Sequence, residues 1–366
     1  DDAVVIITQF NEWEGNAGGN QTNKIDWGNT SNWSLNSLPT TGQVVLIPSG
    51  LSNYPIIDGE DPNIDFLSIE SGANVTLISR NITINNEISG LGSFFGNDGI
   101  IHIGGDSKLS NFIAGSSNIY FDGSGTQVIE NDFTADSLFI DNNVTTSDYL
   151  EAFSNINIAS GKTLTMESGS QLVAYGTLVL EGTLIGNSSK FTFSGDVSVG
   201  VSGSFDLTST SLILDGTSTQ EINGINNLKN FTIDNTSGVK INSDLVVTDT
   251  LFIVNGILTL ESGTSFVSNI KQGNTTDLIA RREISGTTGW RLISPPIDSD
   301  YNDFLDGAIT QGYSGAYYST GSNPGDTVQP NVLYYDETYT GTDNQRWRAP
   351  VSAATSLTPG RGLFVY

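Results

Sequence analysis

The sequence predicts an all-β protein, built as a right-handed parallel β-solenoid with an N-terminal tryptophan-rich cap and a smaller C-terminal β module. Three observations predict this fold. Short runs of β-branched residues alternate with polar residues, Ser-Gly pairs interrupt these runs, and one long passage occurs twice. Helical periodicity is nearly absent from the chain.

The repeated passage occupies about residues 121–173 and 214–267. Both copies open with Asp-Gly-x-x-Thr-Gln, continue to Ile-Asp-Asn and end on Glu-Ser-Gly, at offsets of 93 to 94 residues. A chain that copies itself at one offset is typical of repeat architectures, in which each unit stacks on the previous one. We expect the repeat to hold about four coils of roughly 23 residues each. About ten such coils would make a rod roughly 50 Å long.

A series of β-sandwiches is the alternative architecture, because sandwiches also use short strands with frequent turns. Sandwiches need hairpin turns such as Asn-Gly between alternating runs, and only residues 223–224 and 255–256 provide that pair. The solenoid is therefore favoured. Ser-Gly pairs mark the expected corners, where glycine allows a positive φ. These glycines are Gly50, Gly72, Gly161, Gly169, Gly203 and Gly263.

The chain divides into three predicted regions. Residues 1–43 contain three tryptophans close together and are expected to cap the open end of the core, with a sugar-stacking platform as the alternative. Residues 44–280 form the solenoid. Residues 281–366 are rich in aromatic side chains and form the C-terminal β module, which we expect to be truncated because Tyr366 ends a strand-like run. We interpret the chain as a processed piece of a longer protein.

Composition excludes several classes of function. The chain has 40 acidic and 14 basic residues, a net charge of -26. The negative electrostatic field of such a chain repels nucleic acid and anionic membranes, so neither is a predicted partner. The absence of cysteine excludes disulfides, zinc-thiolate sites and cysteine nucleophiles. No apolar run of about 18 residues occurs, so no membrane insertion is predicted.

Two segments resemble a known family. Residues 25–34, followed by residues 45–50, are similar to the start of large secreted β-helix proteins of Bacteroidota. Residues 289–296 and 347–350 are similar to the module that often follows it. This resemblance implies a secreted or cell-surface, adhesin-like protein that the type IX secretion system exports. It also implies partners such as a surface polysaccharide or other cell-surface or secretion-system proteins.

The same resemblance implies O-glycosylation at Asp-Ser/Thr followed by a small or aliphatic residue. Three hydroxyl residues match this pattern, namely Ser137, Thr250 and Thr327. Because the pattern is so short and the chain is rich in Asp and Thr, chance occurrence is an equal explanation for each match.

Catalytic chemistry has few candidates in the sequence. The one histidine, His102, lies between two isoleucines of an alternating strand and is expected to face outward rather than to serve a catalytic triad. Parallel β-helices also host polysaccharide lyases and glycoside hydrolases, but no acidic motif repeats in a way that indicates a carboxylate pair. We therefore predict no catalytic residues and no enzyme activity.

Calcium is the one ion that the sequence suggests, and no organic cofactor is predicted. The turn-like stretch 58–65 contains four acids, Asp58, Glu60, Asp61 and Asp65. Calcium binds six to eight oxygens from such loops. No calcium-loop pattern matches, so a solvated acidic surface is favoured over a metal site. A second cluster, residues 298–306, is interpreted as a short helical turn with an acidic face.

The predicted function is that of a non-catalytic stalk or display segment. The first alternative is a carbohydrate-binding module that uses the tyrosines and Trp347 of the C-terminal region. The second alternative is a polysaccharide-active enzyme. An exposed row of aromatic side chains on one solenoid face would favour binding, and a cleft with carboxylates and a base would favour catalysis.

Overall fold

The computed structural model describes residues 9–273, 278–281, 283, 289–318 and 328–366. It divides the chain into two compact units, unit 1 (Asp1–Arg281) and unit 2 (Arg282–Tyr366). Unit 1 is a parallel β-solenoid, and the whole chain is all-β with about 12 solenoid turns. The predicted fold class is confirmed. The predicted Thr327 lies outside the described residues.

Unit 1 contains 29 described strands, one short α-helix and one 3-10 helix. The helix α1 is Gln21–Ile25, and the 3-10 helix is Thr30–Asn32. The strands, in chain order, are β1 (Gln9–Glu12), β2 (Gln43–Ile47), β3 (Ile56–Ile57), β4 (Asn63–Ile69), β5 (Asn74–Leu77), β6 (Asn81–Phe95), β7 (Ile100–Ile103), β8 (Ser107–Ile113), β9 (Asn118–Phe121), β10 (Gln127–Ile129), β11 (Phe133–Ala135), β12 (Ser137–Ile140), β13 (Val144–Thr146), β14 (Tyr149–Ala152), β15 (Ile156–Ile158), β16 (Thr163–Met166), β17 (Gln171–Ala174), β18 (Leu178–Leu180), β19 (Thr183–Ile185), β20 (Lys190–Phe193), β21 (Val197–Val199), β22 (Ser204–Leu214), β23 (Gln220–Asn223), β24 (Asn227–Asp234), β25 (Val239–Ile241), β26 (Leu245–Asn255), β27 (Leu258–Leu260), β28 (Phe266–Gln272) and β29 (Leu278–Ala280).

The strands form three faces, which we name A, B and C in the order in which each coil visits them. Face A includes β7, β9, β12, β15, β18, β21, β23, β25, β27 and β29. Face B includes β1, β2, β10, β13, β16 and β19, and face C includes β3, β5, β11, β14, β17 and β20. The longer strands β4, β6, β8, β22, β24, β26 and β28 bend around corners and contribute to more than one face.

Inward positions build one continuous apolar core. Because successive strand residues point to opposite sides, each coil contributes every second side chain to the interior. On face A, Ile101 pairs with Ile119, which is followed by Leu138 and Ile156 in the next coils, and all four are fully buried. Each coil thus buries the apolar side chains of its neighbours, and the hydrophobic effect stabilises the stack.

Glycine at the Ser-Gly corners has the predicted conformation in all but one case. Gly50, Gly72, Gly161, Gly169 and Gly263 adopt positive φ between 73° and 90°. Gly203 does not, but a Cβ at that position would lie 2.1 Å from the carbonyl oxygen of Leu180. There the requirement for glycine comes from close approach of two coils rather than from φ.

The coil length differs from the sequence-based expectation, because it varies along the chain. Register pairs Gln127 with Val144 in one of the shortest coils and Val197 with Ile222 in one of the longest. The second copy of the repeat also begins one face earlier, since Gln127 lies on face B and Gln220 lies on face A. Because equivalent residues of the two copies lie on different faces, the repeat unit does not contain a whole number of coils. The expectation of four coils per repeat is therefore wrong.

Each copy carries the same buried hydrogen-bond network, which connects neighbouring coils. The side-chain amide of Gln127 donates to the carbonyl oxygens of Ile103 and Gly105, both at 2.7 Å. Its carbonyl oxygen accepts from the Gly123 amide at 3.1 Å and from Asn142 at 3.3 Å. All four hydrogen-bonding positions of this buried amide are thus satisfied.

The second network reproduces the first at another corner of the solenoid. Gln220 donates to the carbonyl oxygens of Phe193 (2.9 Å) and Gly195 (2.7 Å). It accepts from the Gly216 amide and from Asn235, both at 2.9 Å. The repeated Asp-Gly-x-x-Thr-Gln and Asp-Asn phrases therefore specify a buried hydrogen-bond network, which we name the glutamine network.

The tryptophans of the cap belong to the core. Trp13, Trp27 and Trp33 are at most 2% exposed, and Trp33 packs edge-to-face against both others at centroid distances of 5.0 and 4.7 Å. The indole nitrogen of Trp13 donates to the carbonyl oxygen of Asn53. The alternative of a sugar-stacking platform is wrong here, because no ring face is available to a ligand.

Unit 2 is a small antiparallel module. Its main sheet has the order β30 (Arg291–Ile293), β35 (Leu363–Val365), β32 (Val332–Tyr335) and β33 (Trp347–Arg348). A second pair joins β31 (Ser299–Asp300) to β34 (Ser356–Leu357), and the helix α2 (Tyr301–Phe304) and a 3-10 helix (Asp343–Arg346) complete the module. Its core contains Tyr301, Val332 and Leu363.

Candidate functional site

The outward positions of face A carry a stacked ladder of rings. His102 stacks on Tyr120 at a centroid distance of 4.9 Å, and Tyr120 stacks on Phe139 at 4.4 Å, in three successive coils. His102 Nδ1 lies 2.7 Å from the Asp122 carboxylate. The side chain is 34% exposed, while Ile101 and Ile103 beside it are buried. His102 therefore faces outward as predicted, in contact with a ring and a carboxylate.

Each of the two stacking contacts in this ladder covers the face of one ring with the face of the next ring. Parallel rings that stack along the solenoid axis leave mainly their edges to solvent, whereas sugar binding requires an open face. The stacking contacts of the face A ladder therefore stabilise the stack of coils, and the end ring Phe139 has Asn157 as its neighbour in the next coil.

A second aromatic cluster lies on face C. Phe153 and Tyr175 stack at a centroid distance of 5.7 Å and an angle of 6°, and they are 51% and 48% exposed. Tyr149 and Glu151 lie on β14, directly before Phe153, and point to the same side as that ring. Burial and a hydrogen bond with Glu151 raise the pKa of Tyr149 to about 12. The same two causes raise the pKa of Tyr175. We name these four residues the tyrosine–glutamate cluster.

The predicted calcium candidates do not converge on one point. Asp58 and Glu60 line an open pocket of about 270 Å³ in the cap, together with Asp26. The Asp61 carboxylate instead accepts from the Asn81 amide at 2.9 Å. The Asp65 carboxylate accepts from the Gly42 amide at 2.9 Å and from Asn85 at 3.0 Å. Two of the four acids thus hold neighbouring coils together.

Across the described ranges, no group of three or more histidine and acidic side chains is arranged to hold a metal ion. In the second acidic cluster, Asp300 caps the short helix α2 by accepting from the Asp303 amide at 2.8 Å. A short helical turn occurs here as the sequence indicates. The preference for a solvated acidic surface over a calcium site stays a prediction.

One side of the unit 2 sheet is lined with aromatic side chains. Trp290 stacks on Phe364 at 5.1 Å, Phe364 contacts Trp347 at 5.4 Å, and Trp347 contacts Tyr335 at 5.2 Å. Trp290 is 40% and Trp347 36% exposed. We name this surface, with Tyr366, the aromatic face of unit 2. It includes Trp347 and two of the tyrosines of the predicted carbohydrate-binding alternative.

The glycosylation candidates lie in different environments. Ser137 is 7% exposed at the start of a face A strand, so a modifying enzyme would need local opening to reach it. Thr250 is half-buried on β26, and its hydroxyl donates to Asp249 at 3.3 Å. Their modification stays a prediction.

A comparison with known families, curated proteins and solved structures found no match to this chain. No helix in the described part of the chain is long and apolar enough to span a membrane.

Sequence reasoning missed two features. The first is the hydrogen bond between Gln127 and Asn142. The sequence shows these residues only as parts of a repeated phrase, because the hydrogen-bond partners of Gln127 come from neighbouring coils. The tyrosine–glutamate cluster combines side chains from two neighbouring coils, and the sequence carries no signal that the register places Phe153 beside Tyr175.

Proposed function

We propose that unit 1 is a non-catalytic stalk or display segment of a secreted or cell-surface, adhesin-like protein. The comparison of the two copies of the repeat supports this proposal, because it shows which residues the duplication preserves. Inward residues recur between the copies, as at Ile140 and Ile233, and so does the whole glutamine network. Outward residues change, as from Phe139 to Thr232. Some exposed residues at the strand ends also recur, such as Asp141 and Asp234. A duplication that repeats the core and the corners while outward strand residues change is typical of a lengthened scaffold rather than of a copied active site.

The physical basis of a stalk is stiffness. Each coil pairs its backbone with the coils before and after it, so bending would break parallel hydrogen bonds on one side. The acidic surface keeps the solenoid solvated and repels other copies. The resemblance to secreted Bacteroidota proteins supports display at the cell surface and export by the type IX system.

A distance measurement tests the stalk. The chain has no cysteine, so Ser68→Cys and Val267→Cys can be spin-labelled specifically. Both point outward on face B, and ten coil steps at about 4.8 Å separate them by roughly 48 Å. We expect one narrow distance distribution near this value by pulsed electron resonance. A broad distribution would contradict a stiff stalk, and release of products from polysaccharides incubated with the chain would overturn the non-catalytic assignment.

Carbohydrate binding by unit 2 is the second candidate, because its aromatic face is exposed. Exposed Trp and Tyr side chains combine apolar area with a polar atom and are enriched at binding surfaces. Trp347→Ala and Trp290→Ala should each weaken binding to a polysaccharide if this surface holds it. Unchanged binding in both variants would exclude the aromatic face as the site.

A further inference from the structure

The tyrosine–glutamate cluster has an aromatic ladder that stops after two rungs. Register pairs Ala152 with Ala174 and Ala174 with Phe193, so Phe153, Tyr175 and Ser194 occupy the same outward column in three successive coils. Phe153 covers one face of the Tyr175 ring. On the other side the next rung is the small side chain of Ser194, which leaves the second face of the ring without an aromatic partner.

Two carboxylates flank this open position along the solenoid axis, one in the coil before Tyr175 and one in the coil after Ser194. The Ser194 hydroxyl donates to the Asp215 carboxylate at 2.7 Å, which places Asp215 one coil further along the same column. Glu151 lies in the coil before Tyr175, on the side of Phe153, and interacts with the hydroxyl at the edge of the Tyr175 ring. Both carboxylates retain oxygen lone pairs that can accept further hydrogen bonds, because a carboxylate has about four acceptor positions.

The position has the dimensions of a sugar ring. Neighbouring coils are about 4.8 Å apart, so a ring stacked on Tyr175 would lie above Ser194 and continue the ladder by one rung. A pyranose has an apolar C–H face, which suits an aromatic ring, and hydroxyl donors at its edge, which suit Glu151 and Asp215. All of these side chains project from a packed scaffold, so little ordering is needed on binding.

We propose that Tyr175, Glu151 and Asp215 form a binding site for an uncharged sugar residue of a glycan. The site lies on the solenoid itself and goes beyond the stalk function. Anionic sugars are excluded from it, since two carboxylates and a chain charge of -26 repel uronate and sialate groups.

The test compares variants of the full chain on an oligosaccharide array. The probes are neutral β-glucan, xylan and mannan fragments, with polygalacturonate and sialylated glycans as anionic probes. We expect binding to at least one neutral probe and none to the anionic ones. Titration calorimetry with the bound neutral probe should show that Tyr175→Ala raises Kd about tenfold, and that Glu151→Gln raises it less.

One matched variant controls for loss of an outward ring elsewhere on the solenoid: Tyr120→Ala removes a stacked tyrosine from face A and should leave Kd unchanged. Trp347→Ala separates this site from the aromatic face of unit 2, because a site at Tyr175 does not need that ring. The proposal is overturned if no neutral probe binds, if Tyr175→Ala binds like the original chain, or if Trp347→Ala alone abolishes binding. None of these results alters the spin-label distance, so failure of this site is distinguishable from failure of the stalk.

Discussion

Replacing Gln220 by leucine tests whether the buried glutamine network holds the coils in register. Leucine is similar in size but offers no hydrogen bond, so the change removes the four hydrogen bonds of one buried amide. Two partners keep another bond: the Phe193 carbonyl also accepts from the Asp215 amide, and Asn235 also donates to the Ser218 carbonyl.

The magnitude follows from the groups that lose their partner. The Gly195 carbonyl and the Gly216 amide have Gln220 as their described side-chain partner, and each unsatisfied buried group costs about 1–3 kcal/mol. We therefore expect Gln220→Leu to lower the free energy of unfolding by about 2–6 kcal/mol. Gln171→Leu is the matched control: Gln171 is exposed on face C, and its replacement should change stability by less than about 0.5 kcal/mol.

Urea unfolding followed by circular dichroism measures the total effect, and hydrogen exchange locates it. Because each coil contacts only its neighbours, exchange should accelerate around residues 190–240 and stay unchanged around the first network at residues 103–142. Gln127→Leu should give the reverse pattern. Gln220 does not hold the coils in register if Gln220→Leu is no more destabilising than Gln171→Leu, or if its exchange rates rise uniformly along unit 1.

Three further changes test the cap, the corners and a surface ion pair. Trp33→Ala should lower the free energy of unfolding by about 3–5 kcal/mol, because it leaves a large cavity in the cap; an unchanged urea midpoint would contradict this. Gly105→Ala should destabilise strongly, since its Cβ would lie 1.2 Å from a carbonyl oxygen of the neighbouring coil, whereas Gly125→Ala, with open space around it, should be nearly neutral in thermal melts. Lys108 lies 2.9 Å from Glu87 and 3.1 Å from Asp106, and these hydrogen bonds raise its pKa. Its stabilising effect is thus fully present below the ordinary lysine pKa and is lost as pH rises through the raised value. Lys108→Met should remove this alkaline dependence, with a loss of under about 1 kcal/mol at neutral pH; an identical pH profile would contradict the ion pair.

The sequence predicted the parts of the fold that depend on local patterns. Alternation at Ile101 and Ile103 reflects a strand with one buried side, and a Ser-Gly pair such as 71–72 reflects a corner with positive φ. Both signals come from residues close together in the chain. The two-rung ladder at Phe153 and Tyr175 has no such signal, because coil length decides which residues become neighbours.

Local sequence patterns are sufficient to predict a repetitive parallel β-structure, and composition is sufficient to predict its strongly acidic, cysteine-free surface. The face on which each outward side chain lies depends instead on how the coils stack in three dimensions. The two copies of the repeat show the physical reason: Gln127 and Gln220 occupy equivalent sequence positions but different faces, since the number of faces that the chain passes between them is not a multiple of three. The interior tolerates that rotation because every face buries the same kind of side chain, whereas a surface site such as the tyrosine–glutamate cluster exists only where the coils bring its residues into line.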